Sequence, residues 1–332
     1  MLASCRVFGG EESSAAPADL KNLPVSTSLL VGSCFSCGWR IDDNVNGKMV
    51  TFGIMQGRLS APLEDRIQCF PRNTWQQEFS LAAAAGLGAI EWIYDTFGDS
   101  ANPIETDEGI SQMKWLSAEH GISVESICAD WFMEEPLVGV SQGESKTAFE
   151  RLEWLIGRAG LLGMGRIVLP FVDSSALKSD SLISEAERML IKILPLARES
   201  GIEIHLETSL DPSNFGALLE RIPDPIVRVN YDIGNSASCG YDPREEFGMY
   251  GQRIGSIHIK DRLLHGTTVP LGTGDADFVA VFDELYKLRY VGPFVLQTAR
   301  GKPGDEVGHT VRNVEIAKSL FAAGQPAQVQ PT

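Results

Sequence analysis

The stretch GIEIHLETSLDPSNF (201–215) holds the unit from which the fold is read. Gly201 ends a helical run, because glycine enters the left-handed conformation at a helix C-terminus without steric cost. IEIHLE (202–207) alternates apolar residues with His205 and Glu207, the period of a strand, so Ile202, Ile204 and Leu206 share one face and His205 and Glu207 the other. Asp211-Pro212 places a capping carboxylate ahead of a proline that the first helical turn tolerates. The order is helix stop, strand, short loop, capped helix.

The same order repeats outward in both directions. Strands are expected at 50–55, 89–93, 122–128, 166–171, 202–207, 226–232, 254–259 and 293–297. Helices are expected near 74–86, 107–120, 145–162, 181–200, 212–221, 244–251, 276–289 and 306–321. Gly86 and Gly121 repeat the stop of Gly201, and Asp242-Pro243 repeats the capped start. Strands alternating with helices of this length signal βαβ units and a parallel sheet. About eight such units, with no glycine-rich dinucleotide fingerprint near the start, favour a closed (β/α)8 TIM barrel over an open sheet. The fold class is therefore α/β, as a single barrel domain over 49–322 with a flexible tail at 323–332. Residues 1–48 are rich in Ser, Ala and Gly without an amphipathic period, and read as a disordered extension. Met49, just ahead of VTFGIM, is the expected start of the folded domain and of the natural protein.

Composition narrows the partners. The chain of 332 residues carries 44 acidic against 28 basic side chains, a formal net charge of -16. Nucleic acids and anionic membranes reward clustered Lys and Arg, so neither is expected as the partner. No run approaches the ~20 apolar residues of a membrane span. The apolar run VSTSLLVGSCFSC lacks a basic lead-in, and Glu11, Glu12 and Asp19 argue against a transit peptide. Cys34 and Cys37 form one CxxC, but no second pair or nearby His completes a zinc site. Cys5, Cys69, Cys128 and Cys239 follow no framework spacing, so reduced thiols and a cytoplasmic location are expected. Homo-oligomer formation stays open.

Four strands of the second half end in metal-capable residues: Glu207, Asp232 in VRVNYD, His258 in IGSIHIK and Gln297 in GPFVLQ. Alternation sends all four inward, and in a barrel the C-terminal strand ends build the active site. Two carboxylates, an imidazole and an amide oxygen suit Mn²⁺, Mg²⁺, Zn²⁺ or Co²⁺. The bland reading, hydrogen-bonding residues at strand ends, fits any one of them singly but fits four converging residues less well.

The chain resembles the sugar phosphate isomerase/epimerase family, with its xylose-isomerase-like barrel, from Met49 to about Leu320. The resemblance rests on FGIMQGRLS (52–60), QCFPRNTWQQEF (68–79), AIEWIYD (89–95), HLET (205–208), NYDIGN (230–235), HIKDR (258–262), PLGTGDADF (270–278) and LQTAR (296–300). It implies one divalent metal, Mn²⁺ first, on Glu207, Asp232, His258 and the position of Gln297. It also implies two glutamates exchanging protons on opposite faces of a carbohydrate, and here the second of them is Gln297. Asn235 stands where many relatives have a histidine. The three-zinc ligands of the related apurinic endonucleases are not apparent.

Glu207 is the leading proton-abstracting base, with Lys260 as acid, base or ion-pair partner of Asp261 or another acid. Glu91, among Ile90, Trp92 and Ile93, either faces the mouth as a proton acceptor or forms a salt bridge across the barrel. His205 is expected to orient its neighbours, and Gln56, Arg58, His205, Asn235, Arg262 and Arg300 are the candidate substrate contacts. PLGTGDADF reads as a tight loop capped by Asp275 or Asp277, or as a loose phosphate cradle. Trp75, Trp115 and Trp154 are expected in the core, and Trp131 and Phe132 on the pocket wall. The expected activity is a metal-dependent isomerase or epimerase on a sugar, sugar phosphate or keto-polyol working through an enediolate. A dehydratase and a catalytically silent sugar-binding barrel are the alternatives.

Overall fold

The computed structural model describes residues 52–323 except 65, 99 and 100, together with a ribbon pairing Asn44–Val45 with Lys48–Met49. Apart from that ribbon, the expected extension over 1–48 lies outside the described residues, as does the tail beyond Ala323. Eight parallel strands close into a barrel. In chain order they are β1 Phe52–Met55, β2 Ala89–Ile93, β3 Ser123–Cys128, β4 Arg166–Phe171, β5 Glu203–Thr208, β6 Val227–Asp232, β7 Ile254–Ile259 and β8 Phe294–Leu296. The matching helices are α1 Trp75–Ala84, α2 Asp107–His120, α3 Gln142–Leu162, α4 Asp180–Ser200, α5 Pro212–Arg221, α6 Pro243–Tyr250, α7 Phe278–Lys287 and α8 Glu306–Ala323. Each strand is followed by its helix, as the alternation of the sequence predicts.

Local chemistry explains the boundaries. Gly121 and Gly201 end α2 and α4 in the left-handed conformation, with φ of 65° and 68°. Gly86, with φ of 74°, comes one residue after the C-cap Ala85 of α1. Asp211 accepts from Asn214 N at 3.1 Å and Asp242 from Arg244 N at 2.8 Å, so both Asp-Pro pairs start helices. Ser141 and Glu144 satisfy each other's backbone amides at the start of α3 in a capping box.

The core lies between strands and helices. Ile202, Ile204 and Leu206 are fully buried, and α4 covers them with Ile183, Ala186, Leu190, Ile193 and Ala197 at helical spacing. Burying a side chain of this size contributes about 1.5–3 kcal/mol, so the alternation is strongly enforced. Trp75 is buried and Trp154 packs against the core, but Trp115 corrects the expectation, being 60% exposed. The inward face of α2 is Ile110, Met113 and Leu116, and Trp115 stands beside it. Cys69, Cys128 and Cys239 are free thiols, whereas Cys5, Cys34 and Cys37 lie outside the described residues. Among the described residues no helix is long and apolar enough to cross a membrane.

Candidate active site

Glu207, Asp232 and His258 meet at the C-terminal ends of three consecutive strands, β5, β6 and β7. One ligand atom from each lies within 4.8 Å of the others, and all three side chains are buried. Register sets this up by pairing Asp232 with His258 on neighbouring strands. Nδ1 of His258 is 3.3 Å from Glu207 Oε2 and 3.9 Å from Asp232 Oδ2. Nε2, on the other side of the ring, is 2.6 Å from Glu91 Oε1. Burial alone lowers the pKa of His258, but Glu91 and then Glu207 outweigh it and hold the imidazole at about 10. Burial also opposes charge on Glu207, yet His258, Lys260 and Asn230 keep its carboxyl below the ordinary range. Three carboxylates around one imidazole and one ammonium form a cluster whose charge suits a divalent cation. A ring donating Nε2–H to Glu91 turns Nδ1 toward Glu207 and Asp232, the orientation that a carboxylate imposes on a metal-binding histidine. The residues therefore fit the metal.

Glu91 is thus not at the mouth. It is 1% exposed, lies against His258 and is absent from the cavity wall, so the ion pair across the barrel is the arrangement found. His205 is deeper still. Its Nδ1 is 2.7 Å from Ser256 Oγ and its Nε2 is 3.0 Å from Glu203 Oε2. Ser256 in turn donates to Asn230 Oδ1 at 2.6 Å, and Asn230 Nδ2 donates to Glu207 Oε2 at 2.8 Å. This places His205 beneath the cluster as an orienting residue with no route to a substrate, which corrects its expected substrate contact.

Above the cluster opens a cavity of about 400 Å³ lined by Glu207, Lys260, Asn235, Arg262, Gln297 and Arg58, among others. Lys260 Nζ donates to Asp232 Oδ2 at 2.9 Å and to Gln297 Oε1 at 3.0 Å, so its ion-pair partner is Asp232 and not Asp261. Gln297 stands one residue beyond β8 and donates from Nε2 to Gln68 Oε1 at 3.0 Å, which turns its carboxamide oxygen toward Lys260. Asn235 donates to Glu207 Oε1 at 2.6 Å and accepts from Arg262 at 2.8 Å.

The other expected contacts divide. Arg58 reaches the cavity, but donates to Thr298 O at 3.0 Å, to Ile67 O at 2.5 Å and to Gln68 Oε1 at 3.1 Å. Burial first, then Arg300, lowers its pKa to about 9. Arg300 is outside this cavity, spent on Ile67 O and Ser60 O at 2.9 Å each. Gln56 is buried off the wall, accepting from Ile93 N at 3.0 Å and so tying β1 to β2. Trp131 stacks on Tyr94 at 5.3 Å and Phe132 is buried, so neither lines the cavity. In PLGTGDADF the amides of Gly272 and Gly274 both donate to Asp261 Oδ2 at 2.9 Å, so a carboxylate of the chain fills the cradle. Asp277 caps α7 through Ala280 N at 2.9 Å.

Among the wall residues that escaped the sequence reading are Gln68 and Asp130. Gln68 lies in the loop after β1 and Asp130 just beyond β3, and Gln68 Nε2 donates to Asp130 Oδ2 at 2.8 Å. Asp130 ends no alternating pattern, its position two residues past the strand being the sole available signal.

The closed barrel with its polar site at the strand C-termini places the protein among TIM barrels. More narrowly, the model of the xylose isomerase-like TIM barrel family matches residues 79–318, and the chain belongs to that family. A putative L-ribulose-5-phosphate 3-epimerase of Haemophilus influenzae is 27% identical over 256 residues, covering 69% of this chain and 86% of its own. Among solved structures, an L-ribulose 3-epimerase superposes with a TM-score of 0.67 at 16% identity, over 85% of this chain and 100% of its own. The IOLI protein with a binding zinc atom gives 0.64 at 14% identity, over 82% and 97%.

Proposed function

We propose that the protein is a divalent-metal-dependent isomerase or epimerase acting on a sugar, sugar phosphate or related keto-polyol through an enediolate. One observation carries the reading: Glu207 belongs to the buried acid–imidazole cluster and also lines the cavity. The relatives named as epimerases support it, as does the zinc of the IOLI protein. A divalent ion, Mn²⁺ first and Mg²⁺, Co²⁺ or Zn²⁺ next, held by Glu207, Asp232, His258 and the carboxamide oxygen of Gln297, supplies Lewis acidity at the substrate carbonyl.

The side chains do the rest. Glu207 removes the proton from the carbon next to the carbonyl, and Asn230 and Asn235 hold the carboxylate in place by donating to its two oxygens. The Lys260 ammonium, fixed between Asp232 and Gln297, donates a hydrogen bond to the substrate oxygen as it gains charge. Glu91 keeps the ring of His258 oriented from below.

The test is a panel of free and phosphorylated ketoses incubated with Mn²⁺-loaded protein in D₂O, with the recovered sugars read by NMR. Deuterium at the carbon next to the carbonyl, together with an isomer, is expected, and a chelator abolishes both. A product one water lighter would move the assignment to a dehydratase. Binding without deuterium uptake in any ketose would leave only a silent sugar-binding barrel.

A further inference from the structure

Gln297 takes the place where the family resemblance calls for a second glutamate, and an amide cannot carry a proton to carbon. The cavity nevertheless holds another carboxylate, just beyond the end of β3. Asp130 lines the same wall as Glu207, and Gln68 links it to Gln297. Gln297 Nε2 donates to Gln68 Oε1 at 3.0 Å, and Gln68 Nε2 donates to Asp130 Oδ2 at 2.8 Å. The other oxygen of Asp130 takes only the Cys128 thiol, a weak donor, at 3.1 Å. Among the described residues no cation forms an ion pair with Asp130 within 4.0 Å, so its charged form is favoured by the Gln68 and Cys128 hydrogen bonds without a salt bridge. Around the barrel, β3, which leads to Asp130, stands two strands of eight from β5 with Glu207, so the two carboxyls approach the cavity from different directions.

We propose that Asp130 is the second proton carrier of this site, the carboxyl that does from the end of β3 what a glutamate at position 297 would do from β8. The assignment rests on the epimerase reading above. Glu207 takes the proton from the substrate carbon, and the C–H electron pair becomes the enediolate double bond. The Asp130 carboxyl then delivers its proton to the same carbon from the other face, and the double-bond pair forms the new C–H bond. Glu207 is left neutral and Asp130 ionised, and exchange with cavity water resets both. No oxidant or other reactant is needed. Burial, partly offset by Gln68 and Cys128 and reinforced by Asp95 and Glu207, raises the carboxyl of Asp130 to about 6. That value suits a group required to hold and release a proton near neutrality.

The experiment compares wild type, Asp130→Asn and Asp130→Asn/Gln297→Glu, all loaded with Mn²⁺, on the ketose that wild type deuterates best. Asp130→Asn is expected to lower epimer formation by about 100-fold or more while deuterium still enters the recovered substrate from the Glu207 face. Mn²⁺ uptake and thermal midpoint stay at the wild-type values. Adding Gln297→Glu returns at least about tenfold of the lost epimerisation, because a second carboxylate again faces the substrate beside Glu207. Epimerisation by Asp130→Asn within about threefold of wild type would overturn the assignment alone, as would parallel loss of exchange and epimerisation without rescue. Failure of wild type to deuterate any ketose would sink the epimerase reading and the assignment together.

Discussion

At the scale of single residues, Glu91 shows how direction and depth differ as information. Both readings of Glu91, at the mouth or in a salt bridge, turn it inward, but inward side chains of a barrel stack in layers. Register places Glu91 beside Ser126, Ser126 beside Arg166, and Arg166 beside Glu203, the first residue of β5. Glu91 stands two residues short of the end of β2 with Oε1 2.6 Å from His258 Nε2 and off the cavity wall, whereas Glu207 lines the cavity. No local pattern carries that difference, so a carboxylate beneath His258 read equally well as one at the mouth. Its position predicts its effect. Glu91→Gln keeps the shape and a hydrogen-bond acceptor for Nε2 but removes the charge that makes the ring a strong donor. Mn²⁺ affinity should fall by about 10–100-fold with the fold intact. Titration of free Mn²⁺ by electron paramagnetic resonance checks it, and unchanged affinity would remove Glu91 from any role in ion binding.

At the scale of elements, the sequence was most legible where one side chain sets a boundary. Asp211, Asp242, Gly121 and Gly201 act locally, so their readings carried over directly. Loops held by distant groups were not legible. The turn after β1 depends on Glu78 of α1, which accepts from Gly57 N at 2.9 Å and from Ser60 Oγ at 2.8 Å. Burial raises the Glu78 carboxyl to about 7 despite those hydrogen bonds. The folded chain therefore holds this proton at pH values where the unfolded chain, at 4.5, has lost it. The stabilisation is fully present below pH 4.5 and is lost as pH rises toward 7. Over that window the loss is roughly 3 kcal/mol, at about 1.4 kcal/mol per pH unit. Glu78→Gln removes this slope, so its stability relative to wild type should improve from pH 5 to pH 7.5 in urea unfolding. A constant difference between the two proteins across that range would show that Glu78 stays ionised in the fold.

At the scale of the whole molecule, charge bears on which ketose enters. The chain carries a formal net charge of -16, and a field of that sign slows approach of an anion. Local cations would have to overcome it, and those on the cavity wall are already engaged. Arg58 is held by carbonyls, Arg262 by Gly266 O and Asn235, Arg66 by Glu134, and Lys260 by Asp232. The glycine loop after β7, where many TIM barrels bind phosphate, spends its amides on Asp261. A phosphorylated ketose would have to break these pairs, whereas a neutral one needs only their remaining donors. The expected outcome is a kcat/KM for the free ketose about tenfold or more above that of its phosphate, since about 1.4 kcal/mol suffices for such a ratio. Salt separates field from contact. Raising ionic strength from about 0.01 to 0.1 M shortens the Debye length from about 30 to 10 Å, which should speed the phosphate reaction several-fold and leave the neutral one unchanged. A phosphate that is preferred, and that loses ground as salt is added, would mean that Arg58, Arg66 or Arg262 leaves its internal partner to bind it.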